Sequence, residues 1–145
     1  MIVVADSSPL IGLSRIGRLG LLRDLFDHLI VPDAVWREVA ESDAIRSGVA
    51  EMLAVPWIER QSVSDAGLVH LLRKDLGAGE SEAIVLAREV RADILLMDER
   101  LGRTAAQRLG LRVTSLVGIL IEARRRGILD DPVSLAVQLR NQAGF

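Results

Sequence analysis

The chain has 145 residues, which suits one domain with a buried core, and its 50% hydrophobic content with only 3% aromatic residues predicts an aliphatic core. The absence of cysteine excludes disulfides, thiolate metal sites and thiol nucleophiles. The net charge of −2 lacks the basic excess of a non-specific nucleic-acid binder, and no apolar run approaches the roughly 18 residues that span a bilayer. With no basic region before the first apolar stretch, a signal peptide is not expected. We therefore expect a single cytoplasmic domain over residues 1–145.

The hydrophobic pattern predicts strands that alternate with helices along the whole chain. The predicted strands are residues 2–5, 29–31, 57–63 at a sheet edge, 94–97 and 111–114. The predicted helices follow Ser8, cover 21–26, 32–41 and 43–55, run from Ser64 to Leu76, and cover 80–90, 99–109, 115–126 and 132–141. Such alternation predicts an α/β fold, with a mostly parallel central sheet between two helical layers.

Serine, proline and glycine predict where several helices begin and end. Ser8 followed by Pro9 has the pattern of an N-cap and a first helical residue. Gly77-Ala78-Gly79 predicts a break before the helix at Glu80. Ser115 is expected to cap its helix, and Gly127 to stop it.

Two aspartates follow apolar strands and are the first candidate functional residues. Asp6 follows the strand over 2–5, and Asp98 follows the strand over 94–97. If these strands are parallel neighbours, both carboxylates lie at the carboxyl edge of the sheet, where α/β folds place their sites. Asp6 is not needed as a cap if Ser8 has that role. Asp98 could instead cap the helix at Glu99 by accepting from the amide of Arg100 or Leu101.

Two glutamates are further candidates by their helical positions. Glu80 lies on the apolar face of its helix, whereas Glu82 is predicted to point to solvent. Glu38 lies at the rim of another apolar helix face. The alternative for Glu80 is a first-turn acid favoured by the helix dipole, and for Glu38 a solvated side chain.

If these four carboxylates converge, their mutual repulsion is relieved by a divalent cation. Oxygen ligands without cysteine favour Mg²⁺ or Mn²⁺. Such a site can activate water and stabilise the charge of a phosphoryl displacement. Ser7 could hold a metal-bound water or a phosphate oxygen, and Arg100 and Arg103 could contact phosphate.

The chain resembles PIN-domain ribonucleases of the VapC-like kind, the toxins of bacterial and archaeal toxin–antitoxin pairs. The resemblance spans nearly the whole chain, through several short motifs whose order and spacing are more specific than each motif alone. These motifs are Asp6-Ser7-Ser8-Pro9-Leu10-Ile11, Val31-Pro32 leading to Glu38, Gly79-Glu80-Ser81-Glu82-Ala83-Ile84 with Leu86-Ala87, and Leu96-Met97-Asp98-Glu99-Arg100 with Gly102-Arg103.

The resemblance implies an α/β/α sandwich and Mg²⁺- or Mn²⁺-dependent hydrolysis of RNA. It maps the acidic ligands of the family onto Asp6, Glu38, Glu80 and Asp98, and its small hydroxyl position onto Ser7. It also implies a homodimer and a small antitoxin that blocks the acidic pocket. Many PIN enzymes carry a further acidic residue or Asn shortly after the Asp98 position; this chain has Gly102 and Arg103 there, which leaves open whether a second metal is bound.

These features lead to one main hypothesis and several alternatives. The first is an endoribonuclease in which Asp6, Glu80 and Asp98 hold the metal, and Glu38 completes the shell or orients water. The second is a PIN-like binding or regulatory module that no longer cleaves. A phospho-accepting receiver domain would need adjacent acids after the first strand, and a haloacid-type phosphatase would need an acid at Ser8, so both are disfavoured.

Overall fold

The fold is built around a sheet of five parallel strands. A computed structural model describes residues 1–42, 55–142 and 144. The strands lie in the order β3-β2-β1-β4-β5 and all neighbouring pairs are parallel. Their bounds are β1 Val3–Ala5, β2 Leu29–Pro32, β3 Ile58–Gln61, β4 Ile94–Leu96 and β5 Val113–Thr114. The predicted edge strand at 57–63 is therefore present as β3.

Eight helices flank this sheet in the described part of the chain. Their bounds are α1 Ser7–Arg15, α2 Gly20–Phe26, α3 Asp33–Glu41, α4 Ala66–Leu72, α5 Ala78–Glu89, α6 Arg100–Arg108, α7 Leu116–Arg125 and α8 Pro132–Gln142. Helix α5 packs on α3 and on the central strands, while α8 packs on α7 and α1. The predicted three-layer α/β/α architecture with a parallel sheet is confirmed.

The centre of the sheet is fully buried, as expected for parallel strands covered on both faces. All three residues of β1 are buried, as are Leu95 and Leu96 of β4. The largest side chains with almost no exposed surface are Leu10, Leu13, Leu22, Leu29, Ile84, Leu86, Leu95, Leu96, Met97, Leu116 and Ile119. The core is thus aliphatic, as the composition predicts.

The first helix begins earlier than the sequence pattern predicts. Asp6, with extended backbone, occupies the N-cap position of α1, and Ser7 and Ser8 are its first two residues. The prediction of Ser8 as N-cap was wrong. Pro9 is tolerated as the third residue because the first four helical N–H groups have no partner within the helix.

Four other predicted boundaries also differ from the structure. Pro32 ends β2 and precedes α3, and Asp65 rather than Ser64 caps α4, by accepting from the Leu68 N–H. Helix α4 ends at Leu72. The predicted break before α5 includes Gly77, but α5 already begins at Ala78 and includes Gly79.

The predicted end signals of α7 are confirmed. The Ser115 hydroxyl accepts from the Gly118 N–H, and Gly127 has a φ of +74° directly after the helix. The predicted helix over 43–55 lies outside the described residues, apart from its last residue. None of the described helices is both long and apolar enough to cross a membrane.

Candidate active site

Asp6 and Asp98 lie at the same carboxyl edge because β1 and β4 are paired neighbours. Ala5 is in register with Leu96, and the Asp6 N–H donates to the Leu96 carbonyl at 2.9 Å. Helices α1 and α6 begin just beyond this edge. The topology therefore brings together two acids that are far apart in the sequence.

Asp6 is buried, with 2% of its surface exposed, and its Oδ1 has no hydrogen-bond partner. Burial raises the pKa of this carboxyl to about 7, although the Ser7 backbone amide lowers it. The negative charges of Glu80, Glu38 and Asp98 raise the Asp6 pKa further. Asp6 thus faces an acidic environment formed by three other carboxylates.

Asp98 accepts a hydrogen bond from a helix other than its own. Its Oδ1 accepts from the Leu116 N–H at the start of α7, at 3.0 Å. The N-cap position of α6 is Glu99, so the alternative in which Asp98 caps that helix was wrong. The Asp98 Oδ2 is buried without a partner. Burial raises the pKa of this carboxyl, while the Leu116 amide and the Arg103 charge lower it.

Glu80 lies in the first turn of α5 and is half-buried beside α6. A Cβ built on Gly102 would lie 2.6 Å from the Met97 Sδ and 3.1 Å from the Glu80 Oε2. The absence of a side chain at Gly102 therefore allows α6 to pass close to Glu80. Burial raises the pKa of the Glu80 carboxyl, and the charges of Glu99 and Glu38 raise it further.

Glu38 accepts hydrogen bonds from residues of two other helices, α1 and α5. Its Oε2 accepts from the Ser7 hydroxyl at 2.7 Å, and its Oε1 accepts from the Gly79 N–H at 2.9 Å. The prediction that Glu82 points to solvent was wrong, because its Oε1 accepts from the Ala34 N–H at 3.0 Å. Sequence reasoning about helix faces did not include the neighbouring helix that supplies this donor.

The two candidate arginines differ in their surroundings. Arg100 is exposed at the start of α6, whereas Arg103 is half-buried, and its Nε is buried without a hydrogen-bond partner. The positive charge of Arg103 lowers the pKa of the Asp98 carboxyl. Arg103 thus offers an unsatisfied donor at the edge of the sheet where Asp6, Glu38, Glu80 and Asp98 lie, which we call the acidic edge.

Three residues of the site were not selected from the sequence. Glu99 adds negative charge near Glu80, while Gly79 and Gly102 provide space for Glu38 and Glu80. The position of Glu99 directly after Asp98 was an available signal. The roles of the two glycines depend on how helices approach each other, and no local pattern reveals that.

The donor chemistry of this edge fits a hard divalent cation. No three His, Asp or Glu side chains within residues 1–42 and 55–142 are gathered closely enough to hold a metal ion. The unpartnered oxygens of Asp6 and Asp98 are buried acceptors that a cation would satisfy, and oxygen donors suit Mg²⁺ or Mn²⁺.

A parallel α/β/α fold with acids at the carboxyl edge of its central strands is an architecture that positions oxygen ligands for phosphoryl chemistry. Residues 2–145 match the family model described as PIN domain. The chain therefore belongs to the PIN-domain family, whose members are generally nucleases.

A solved structure has the same fold. It is a PilT N-terminus domain protein from the hyperthermophilic archaeon Sulfolobus solfataricus, with 19% sequence identity and a TM-score of 0.59. The match covers 85% of this chain and 93% of that chain. No curated protein matches the chain.

Proposed function

We propose that this protein is a metal-dependent endoribonuclease formed by a single PIN-like domain over residues 1–145. The observation that carries the proposal is Asp6, a buried carboxylate with an unpartnered oxygen beside three other acids. A purely structural acid in such a position would be expected to have donors for both oxygens. Membership of a nuclease family supports the same conclusion.

In this proposal Asp6, Glu80 and Asp98 hold a Mg²⁺ or Mn²⁺ ion. When bound, the cation supplies an activated water and stabilises the charge that develops on the phosphodiester. The Leu116 amide fixes the orientation of Asp98 for this role. Glu38 supports this site through its contacts with Ser7 and Gly79.

Three further residues would bind the RNA substrate. Arg100 is exposed at the rim, and Arg103 carries a buried, unpartnered Nε, so both present guanidinium groups that suit phosphate oxygens. Ser7 lies next to Asp6, and its hydroxyl proton is donated to Glu38, so Ser7 would bind the RNA as an acceptor, for example from a ribose hydroxyl, and not as a donor to phosphate.

The biological setting is proposed from the resemblance to VapC-like toxins. It consists of a cytoplasmic toxin of a toxin–antitoxin pair, acting as a homodimer and silenced by a small antitoxin protein. The match to the PIN-domain family over residues 2–145 supports it at the level of the nuclease family.

The experiment is cleavage of labelled RNA by the purified, partner-free protein with Mn²⁺ and with EDTA. We expect cleavage that requires Mn²⁺ and is lost in Asp6→Asn, a variant that removes the charge and keeps the shape. Absence of cleavage by folded protein across several RNA pools would contradict the endoribonuclease.

One observation favours a second candidate, an inert PIN-like binding or regulatory module. Arg103 places a permanent positive charge beside Asp98 and could replace a cation there. Calorimetry with Mn²⁺ separates the two candidates, because an inert pocket filled by Arg103 would take up no metal. Saturable Mn²⁺ binding that is lost in Asp98→Asn would instead support the nuclease.

A further inference from the structure

Helices α3 and α5 both begin without a cap from their own sequence. The residues at their N-cap positions are Pro32 and Gly77, which carry no side-chain acceptor. The first N–H groups of a helix have no partner within the helix and require an acceptor from elsewhere. Each of these two helices therefore depends on another element for its first turn.

The two helices supply these acceptors to each other. Glu38 of α3 accepts from the N–H of Gly79, the second residue of α5, at 2.9 Å. Glu82 of α5 accepts from the N–H of Ala34, the second residue of α3, at 3.0 Å. Carboxylates at helix N-termini are favoured by the helix dipole. We call these two contacts the reciprocal clamp.

Only the Glu38 side of the clamp reaches the acidic edge. Its second oxygen accepts from the Ser7 hydroxyl at 2.7 Å. Ser7 directly follows Asp6, and Gly79 directly precedes Glu80. One carboxylate thus connects the immediate neighbours of two candidate ligands that belong to different elements.

The approach of Glu38 to α5 depends on the missing side chain of Gly79. A Cβ at this position would lie 2.5 Å from both carboxylate oxygens of Glu38. Each carboxylate oxygen of Glu38 accepts a hydrogen bond, one from Ser7 and one from Gly79. The carboxylate therefore could not move away from the added Cβ without breaking these hydrogen bonds. Glycine at 79 is therefore a requirement of the contact.

We infer that Glu38 is a positioning residue, which sets the separation of Asp6 and Glu80 through Ser7 and Gly79 instead of binding the metal directly. This inference rests on the proposed function and deepens it. Asp6, Glu80 and Asp98 would hold the cation. Glu38 would hold Ser7 and Gly79, the neighbours of two of these ligands, in place.

The first test compares Mn²⁺ affinity by calorimetry for Glu38→Gln, Glu38→Ala and Asp98→Asn. Glutamine can still accept from the Gly79 N–H and can donate its amide to the Ser7 oxygen. We expect Glu38→Gln to keep the affinity within about threefold, and Glu38→Ala to lose about 10-fold or more, as for other residues that orient ligands. A loss in Glu38→Gln as large as that in Asp98→Asn would overturn the inference.

A second measurement follows the clamp without metal or RNA. Hydrogen exchange of the Gly79 amide, read by NMR in EDTA, should be slow in the native protein and in Glu38→Gln, and faster by about 10-fold in Glu38→Ala. If the native protein binds no Mn²⁺, the proposed function is contradicted. The exchange rate of the Gly79 amide then still tests whether Glu38 accepts a hydrogen bond from it. Unchanged protection in Glu38→Ala would overturn the inference by itself.

Four further variants separate positioning from general destabilisation. Gly79→Ala should reproduce the loss of Mn²⁺ affinity in Glu38→Ala, while Gly67→Ala, whose Cβ would meet the nearest atom at an ordinary 3.5 Å, should not. The double variant of 38 and 79 should lose no more than either single variant. Glu82→Ala removes the other half of the clamp and should keep Mn²⁺ affinity; an equal loss there would assign Glu38 a merely structural role.

Discussion

Burial of Asp6 among other carboxylates determines the protonation chemistry of the acidic edge. The pKa of this carboxyl is raised to about 7 by burial, with a further contribution from three neighbouring negative charges. The Asp98 and Glu80 carboxyls have raised pKa values for the same main reason. A cation would offset the cost of ionising these groups, so the binding of metal and the release of protons should be coupled.

The raised Asp6 pKa predicts how stability changes with pH in the absence of metal. The folded protein keeps this proton up to about pH 7, whereas the unfolded carboxyl releases it near its ordinary value of 3.8. Since the folded state binds more protons in this window, the free energy of unfolding should fall as pH rises from about 4 to about 7.

Urea denaturation in EDTA at several pH values would measure this change. Asp6→Asn cannot ionise, so its stability relative to the native protein should increase across the same window. A difference between the two proteins that does not vary with pH would contradict the raised pKa.

Asp98→Asn should separate the chemistry of this residue from its structural contact. Asparagine keeps an oxygen that can accept from the Leu116 N–H, so the fold should be retained. Loss of the charge should lower Mn²⁺-dependent RNA cleavage by about 100-fold or more, the order found for a lost electrostatic group in an active site. Circular dichroism would confirm folding, and cleavage at the native level would remove Asp98 from the proposed ligands.

At the scale of elements, the start of α7 links the acidic edge to the local capping of a helix. Ser115 accepts from the Gly118 N–H, and Asp98 accepts from the Leu116 N–H of the same first turn. The helix therefore uses one cap from its own sequence and one from the site. The first stabilises the helix, and the second also orients a candidate ligand.

Ser115→Ala tests the local cap. Loss of this acceptor should lower the free energy of unfolding by about 1 kcal/mol, measured by urea denaturation. Ser64→Ala is a matched control, because Asp65 and not Ser64 caps α4, and it should change stability by less than about 0.5 kcal/mol. Equal effects of the two substitutions would contradict this assignment of caps.

At the scale of the whole molecule, the central strands form the core on which the site is built. Strand β4 lies between β1 and β5. Its last residue, Leu96, is fully buried and is in register with Ala5, the residue that precedes Asp6. A likeness in fold at 19% identity to the archaeal protein shows that different side chains can build this architecture. Packing of the sheet against both helical layers is what holds the acids together at one edge.

Leu96→Ala should be among the most destabilising core substitutions. The cavity left between the two layers should lower the free energy of unfolding by about 3 kcal/mol in urea denaturation. Val117→Ala, at a side chain that is 61% exposed, should change it by less than about 0.5 kcal/mol. A loss below 1 kcal/mol for Leu96→Ala would indicate that the neighbouring layers collapse into the space.

The sequence by itself predicted the α/β/α fold, most strands and helices, and the shared edge of Asp6 and Asp98. These predictions succeeded because strands 3–5 and 94–96 are short apolar runs, and the period of hydrophobic residues is a local property. The helix-ending glycine at 127 and the cap at Ser115 were predicted for the same reason. Each depends on a few adjacent residues.

Only the tertiary structure decided which amide each carboxylate accepts from. Asp98 bonds Leu116 rather than its own helix, and Glu82 bonds Ala34, 48 residues away, rather than water. Glu38 reaches Gly79 because no side chain stands between them. These contacts depend on the distance and rotation between packed helices, and no pattern within one helix specifies where the first turn of another will lie.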